Sequence, residues 1–204
     1  MKQQSGFTLV EIAIVLVIIG LLLGGVLKGQ EIITNAKVKN LENSVDGVAA
    51  AIYSYQDRYR ATPGDDNRVD RFGLTVATQK GNGNGVITGA FDESSANTEE
   101  TRMFWLHLRN AGLVTGSTNA GEDEAFKQPL NAFGGITGVA TSSASNTVKG
   151  TIRGIYVGFN NIPNEIAIVL ESRADDNEVG AGTIQSSEAN YTTDGALHEL
   201  YFAI

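Results

Sequence analysis

Cysteine is absent from this chain of 204 residues, which excludes disulfide bonds, thiol chemistry and any metal site with cysteine ligands. Histidine is scarce, because only His107 and His198 occur, and neither has a serine nucleophile motif beside it. A phosphate-binding loop and a dinucleotide fingerprint are also missing. An active site built from acids alone stays open, but no residue pattern selects one. We therefore predict that the protein is not an enzyme, and that His107 is a packed or surface residue of a helix.

Positive charge is in short supply. The chain has 15 Lys and Arg residues against 23 Asp and Glu residues, which gives a formal net charge of -8. Nucleic-acid binding needs a basic surface, so we predict no nucleic-acid partner. An acidic balance by itself selects no substrate.

A long apolar run stands out at the N-terminus. Residues 7–27 are roughly 21 in number, enough for a helix of about 30 Å that crosses a bilayer. Only Thr8 and Glu11 interrupt the run with polar side chains. A carboxylate inside a membrane costs several kcal/mol unless it has a partner. We therefore expect that Glu11 finds a partner in the assembled state of the protein.

This N-terminus resembles that of the type IV pilin and pseudopilin superfamily. The match comprises a short polar leader ending at Gly6, then Phe7, and Glu11 four residues further on, and it covers about the first 35 residues. The resemblance implies that a dedicated peptidase cleaves after Gly6 and that Phe7 becomes N-methylated. It also implies that Glu11 lies in the core of a helical filament, where its carboxylate pairs with the Phe7 amine of a neighbouring subunit.

The resemblance also implies partners and a location. The partners are identical or related pilin subunits, the prepilin peptidase/methyltransferase and an inner-membrane assembly machinery. The precursor is a single-pass inner-membrane protein with its domain in the periplasm, and the product is an extracellular pilus or a periplasmic pseudopilus. Charge alone does not give this orientation, since Lys2 precedes the apolar run while Lys28, Lys37 and Lys39 follow it.

Several alternatives remain open. One is a type II secretion pseudopilin, although Lys28 stands where many pilins and pseudopilins have a helix-kinking proline. Others are a minor tip pilin with a binding role, and a membrane-anchored periplasmic domain that never polymerises. A simple signal anchor, with Glu11 reaching the headgroups, is also possible. A cleaved secretory signal fits less well, because the apolar run is too long and lacks a small-residue cleavage site.

The helix is predicted to continue beyond the membrane. Its apolar positions follow a spacing of three and four residues, which is typical of one helix face; they are Leu41, Val45, Val48, Ile52, Tyr55 and Tyr59. Pro63 and Gly64 end the pattern. We predict four segments, namely a leader at 1–6, a transmembrane and filament-core helix at 7–27, an amphipathic helix at 28–60, and a globular pilin domain at 61–204.

The globular part is predicted to be α+β, with the long helix packed on a small antiparallel sheet. Residues 63–95 read as a loop, and Asn97-x-x-Glu100 is a candidate capping box for a short helix that stops at Gly112. The predicted strands are 135–140, 148–159 and 197–203. Pro163 starts either a short helix to Leu170 or another strand, and residues 175–194 form a polar loop.

Two segments are candidate metal sites. Asp175, Asp176 and Glu178 group several oxygens in the C-terminal loop, where major pseudopilins carry calcium, although a solvated acidic turn is the simpler interpretation. Asn82 to Ile87 resemble a calcium loop, but Lys80 and Phe91 occupy the positions where ligands are needed, so a glycine-rich turn is favoured. We expect no cofactor other than this possible calcium. The acids at 65–66 and 122–124 are predicted to be solvated.

Overall fold

The computed structural model describes residues 8–142, 152–175, 178–186, 191 and 195–204. The described residues form an α+β fold with one long N-terminal helix, two short helices and a four-stranded antiparallel sheet, which confirms the predicted fold class and is consistent with a pilin-like fold. The helices are α1 (Leu9–Tyr59), α2 (Glu100–Asn110) and α3 (Asn164–Ala174). The strands are β1 (Thr137–Ser142), β2 (Gly154–Pro163), β3 (Ile184–Ser186) and β4 (Leu197–Ala203).

The chain divides into two compact units, Met1–Lys39 and Asn40–Ile204. In the first unit, every described side chain from Thr8 to Lys28 is exposed. The second unit contains the sheet, α2 and α3, and the last 20 residues of α1. The apolar stripe of α1 is confirmed in this unit, because Leu41, Val48, Ile52 and Tyr55 are buried.

The end of α1 is fixed by backbone geometry and one arginine. Arg60 adopts a positive φ of 51° immediately after the last helical residue, Tyr59. The Arg68 guanidinium donates hydrogen bonds to the carbonyls of Tyr59 (3.1 Å) and Arg60 (3.2 Å), which satisfies acceptors that a helix end leaves open. Gly64 then turns the chain away with a φ of 88°. The predicted helix end before Pro63 is therefore confirmed.

The sheet has the strand order β1-β2-β4-β3. Gly138 of β1 lies directly opposite Gly158 of β2, and Phe91 packs over both glycines. The Phe91 ring makes an edge contact with Tyr201, with ring centroids 5.7 Å apart. A Cβ on Gly158 would come within 2.4 Å of the Phe91 ring, so this glycine is required by packing rather than by backbone conformation.

Several predicted elements need correction. The capping box at Asn97 is wrong, because α2 has Glu99 at its N-cap, and no side chain in the described residues caps it. The loop predicted at 175–194 contains the strand β3, which is only three residues long. Helix rather than strand follows Pro163. Residues 148–151 of one predicted strand lie outside the described residues, residues 152–153 are not part of a strand, and residues 154–159 belong to β2.

Candidate functional site

The first turn of α1 holds Glu11 in a reciprocal capping box with Thr8. The Thr8 backbone N–H and the Thr8 hydroxyl donate to one Glu11 carboxylate oxygen at 2.8 and 2.7 Å. The Glu11 N–H in turn donates to the Thr8 Oγ1 at 3.2 Å. This arrangement satisfies donors that a helix N-terminus leaves unpaired. Glu11 therefore has hydrogen-bond partners within its own chain.

The helix that follows carries an apolar surface on all sides. Leu9 is 86% exposed and Leu21 is 73% exposed, and none of the intervening apolar side chains is buried. Among the described residues, α1 is the one helix that is long and apolar enough to cross a membrane by length and composition. A helix that is apolar all round belongs in a membrane or in a protein core. The first unit offers no such core among its described residues.

Residues 1–27 match the family model described as the prokaryotic N-terminal methylation motif. The chain carries the type IV prepilin signature. The prepilin signature unites the leader, the apolar helix and Glu11, and it confirms the family resemblance that the sequence indicated. No curated protein and no solved structure matches the chain.

Within the prepilin signature, the structure describes Glu11, whereas Gly6 and Phe7 lie outside the described residues. Their roles in processing stay predictions. Sequence reasoning missed the contribution of Thr8, although the signal was present. Thr8-x-x-Glu11 has the spacing of a capping box immediately before an apolar run.

The structure describes only part of the acidic C-terminal segment. Asp176 lies outside them, Glu178 is exposed, and Asp175 is partly buried at the end of α3. The Asp175 carboxylate accepts a hydrogen bond from the Ile184 N–H and lies against Gly182. Among the described residues, no group of three acidic or histidine side chains is placed to hold a metal ion. The calcium site at Asp175, Asp176 and Glu178 therefore stays a prediction.

The glycine-rich loop at 81–88 is built around an internal carboxylate. The backbone N–H groups of Gly83 (2.7 Å) and Asn84 (3.0 Å) donate to one oxygen of Asp65, and that of Gly85 (2.7 Å) donates to the other. Successive N–H groups that converge in this way form an anion-binding concavity. Lys80, which stands where a calcium loop would need its first ligand, forms a salt bridge with Asp70 at 2.6 Å. The loop is thus the turn that the sequence favoured, with its N–H groups facing a carboxylate.

Asp65 and Asp66 are buried, at 4% and 2% exposure, so the prediction that they are solvated is wrong. Asp66 accepts hydrogen bonds from the Tyr55 hydroxyl (2.8 Å), the Arg68 N–H (2.8 Å) and the Arg71 guanidinium. Burial raises the pKa of Asp66, but these hydrogen bonds and the Arg71 charge outweigh it and hold the pKa below its ordinary value. The acids at 122–124 are exposed, as predicted.

Two side chains of α2 bind backbone groups that precede it in the chain: Glu100 binds the loop at 81–88, and His107 binds Gly64 and Gln79. Glu100 accepts hydrogen bonds from the N–H groups of Asn82 (3.0 Å) and Thr88 (2.8 Å). His107 is fully buried; its Nδ1 accepts from the Gly64 N–H at 2.9 Å, and its Nε2 lies 2.8 Å from the Gln79 carbonyl oxygen. Burial lowers the pKa of His107 to about 4, so the ring is neutral at physiological pH. Through these hydrogen bonds, the two side chains hold α2 against backbone groups of the preceding segment.

Proposed function

We propose that the protein is a structural subunit of a type IV pilus-like filament, cleaved after Gly6, N-methylated at Phe7 and polymerised through its N-terminal helix. The observation that carries this proposal is the prepilin signature on residues 1–27, followed by a helix whose apolar side chains are exposed on every side. Such a surface fits the interior of a bilayer, and it also fits among other helices of its kind, where van der Waals packing favours association. The precursor resides in the inner membrane with its second unit in the periplasm.

The Thr8–Glu11 capping box supports a route into the filament. In the single subunit, Glu11 is hydrogen-bonded to Thr8, which lowers the cost of holding the carboxylate within lipid. Cleavage after Gly6 creates a charged amine at Phe7. In the filament, this amine of one subunit pairs with Glu11 of the next. A subunit in the wrong axial register leaves a charge buried without a partner, so the pair selects the register.

The first experiment is to shear cells that express the protein and to determine the N-terminal mass and sequence of the main filament component. N-methyl-phenylalanine at Phe7 in the dominant subunit supports the proposal. Processed protein confined to the envelope favours a type II secretion pseudopilin, and processed protein that is scarce beside another pilin favours a minor tip subunit. An intact Met1 in the mature protein overturns the filament proposal and favours an anchored domain.

A further inference from the structure

The glycine-rich loop at 81–88, whose N–H groups bind the Asp65 carboxylate, contains the two Asn-Gly dipeptides of the chain, Asn82–Gly83 and Asn84–Gly85. Asn-Gly is the dipeptide in which deamidation meets the least steric hindrance, because glycine has no Cβ beside the attacking backbone nitrogen. Both asparagine side chains are exposed, so water reaches them. The loop is therefore chemically vulnerable unless its geometry prevents the reaction.

The reaction needs the backbone nitrogen of the glycine. That nitrogen loses its proton and attacks the asparagine Cγ; a C–N bond forms, and the side-chain amide nitrogen leaves as ammonia. Water then opens the resulting succinimide at either carbonyl and gives aspartate or isoaspartate. The net change is consumption of one water and release of one ammonia, and no oxidant or reductant takes part.

Asp65 binds the two nitrogens that would attack. The Gly83 N–H donates to one Asp65 oxygen, and the Gly85 N–H donates to the other, both at 2.7 Å. Hydrogen bonds to a buried carboxylate are stronger than neutral ones, and Asp65 is only 4% exposed. Attack would break such a bond and would also create negative charge on a nitrogen that faces the carboxylate. Both effects raise the barrier.

The asparagine side chains are held away from the reactive geometry as well. The Asn82 Oδ1 accepts from the Asn84 N–H at 3.0 Å, and the Asn84 Oδ1 accepts from the Val86 N–H at 2.8 Å. Each side chain therefore binds the amide two residues ahead rather than approaching the nitrogen of the next residue.

We propose that Asn82 and Asn84 are latent sites of deamidation and that the Asp65 carboxylate suppresses the reaction in the folded protein. The product carries a new negative charge close to the buried carboxylates of Asp65 and Glu100, which repel it. The reaction is irreversible, so Asp65 keeps the loop from acquiring this charge while the fold is intact.

The test follows both asparagines by mass spectrometry in the detergent-held full chain incubated at mildly alkaline pH. Trypsin cleaves after Lys80 and Arg102, and the resulting 81–102 peptide contains both sites together with Asn97 as an internal reference. We expect the folded protein to react about tenfold to a hundredfold more slowly than a synthetic 81–102 peptide, which corresponds to the loss of one charge-assisted hydrogen bond. Equal rates in the two would overturn the proposal.

Matched variants distinguish loss of the Asp65 carboxylate from general loosening of the loop as the cause of faster deamidation. Asp65→Ala should lose most of the protection at Asn84, because the Gly85 N–H binds the carboxylate. It should lose less at Asn82, because the Gly83 N–H also donates to the Asp65 main-chain carbonyl at 2.9 Å, which alanine keeps. Glu100→Gln, which weakens only the bonds to Asn82 and Thr88, should keep the protection at both sites. Circular dichroism checks that each variant is folded. A folded Asp65→Ala that reacts at the wild-type rate, or an equal acceleration in Glu100→Gln, would contradict the assignment. If Asp65→Ala does not fold, Asp65→Asn replaces it. One of the two sites should then react faster, because the Gly83 and Gly85 N–H groups bind different Asp65 oxygens and asparagine keeps only one acceptor.

Discussion

At the scale of single residues, Glu11 has two sets of partners in succession, Thr8 in its own chain and the Phe7 amine of a neighbour in the proposed filament. Glu11→Ala removes the carboxylate and leaves the amine buried without a partner, at a cost of about 3–5 kcal/mol per subunit. We expect this variant to insert into the membrane normally and to form few or no filaments. Membrane fractionation and shearing measure the two steps separately.

Thr8 provides the matched variants for that experiment. Thr8→Ser keeps the hydroxyl that bonds Glu11 and should behave as wild type, whereas Thr8→Val keeps the shape and loses the hydroxyl. Loss of the cap should cost about 1 kcal/mol of helix stability and reduce the membrane-held precursor. Normal filaments from Glu11→Ala would contradict the role of Glu11 in register.

His107 makes the stability of the second unit depend on pH. Its pKa falls from 6.5 to about 4 on folding, so the unfolded chain binds the proton more tightly than the folded one. Stability from this group is present above pH 6.5 and is lost as the pH falls towards 4, by up to about 3 kcal/mol. Denaturant unfolding of the detergent-held chain at neutral pH and at pH 4 measures the loss.

His107→Gln is the comparison for this prediction. Glutamine keeps a donor and an acceptor for the Gln79 carbonyl and the Gly64 N–H but does not titrate in this range. The variant should therefore lose less stability than wild type over the same interval. An identical loss in both proteins would show that other groups, such as Asp66, set the acid sensitivity.

At the scale of elements, the paired strands β1 and β2 have glycines at facing positions, Gly138 and Gly158, and the missing side chains leave room for Phe91. Gly158→Ala should destabilise the second unit by about 1–3 kcal/mol, because the new methyl group overlaps the aromatic ring. Thermal unfolding measures the change. Adding Phe91→Leu should restore part of the stability, since the smaller side chain makes room for the methyl group.

Gly47 is the control for this substitution. It lies within α1, and a Cβ there would meet no atom within 4 Å. Gly47→Ala should therefore leave stability unchanged or raise it by up to about 1 kcal/mol, as expected for glycine replaced inside a helix. A Gly158→Ala protein as stable as Gly47→Ala would show that Phe91 moves aside without cost.

The elements differ in how well local sequence predicts them. The helix α1 was predictable because its apolar residues recur at one spacing over many turns, whereas Pro163 left helix and strand open for the segment that forms α3. The strand β3 has three residues and is held by its pairing with β4, so no local pattern could indicate it. Glu100 has the spacing of a capping residue, yet its carboxylate binds Asn82 and Thr88, which only the tertiary fold brings near.

The candidate site shows the same contrast. Glu11 was identified because a carboxylate within an apolar run is conspicuous, and the spacing from Thr8 was also readable. The burial of Asp65 was not readable, because its partners at Gly83, Asn84 and Gly85 follow about 20 residues later. The local sequence shows that burying a carboxylate would be costly, but it does not show that distant backbone N–H groups are available to offset that cost.

At the scale of the whole molecule, the two compact units differ in the environment they need. The second unit, Asn40–Ile204, contains a buried apolar cluster around Leu106, with Val69, Met103 and Phe126, and another around Tyr156, with Phe91, Ala140 and Tyr201. We expect a fragment of these residues to fold as a soluble monomer, whereas the full chain needs detergent or lipid because of its exposed apolar helix. Cooperative thermal unfolding and size-exclusion chromatography test the fragment, and a non-cooperative transition would contradict this expectation.

The loop at 81–88 also has a consequence for the order of folding. Ile87 and Thr141 exchange two hydrogen bonds, from the Ile87 N–H to the Thr141 Oγ1 at 2.9 Å and from the Thr141 N–H to the Ile87 carbonyl at 3.1 Å, across 54 positions of the chain. Contacts between such distant positions close large loops and therefore form slowly. The loop should dock only after β1 has paired with β2, so its amide hydrogens should become protected late when the protein refolds.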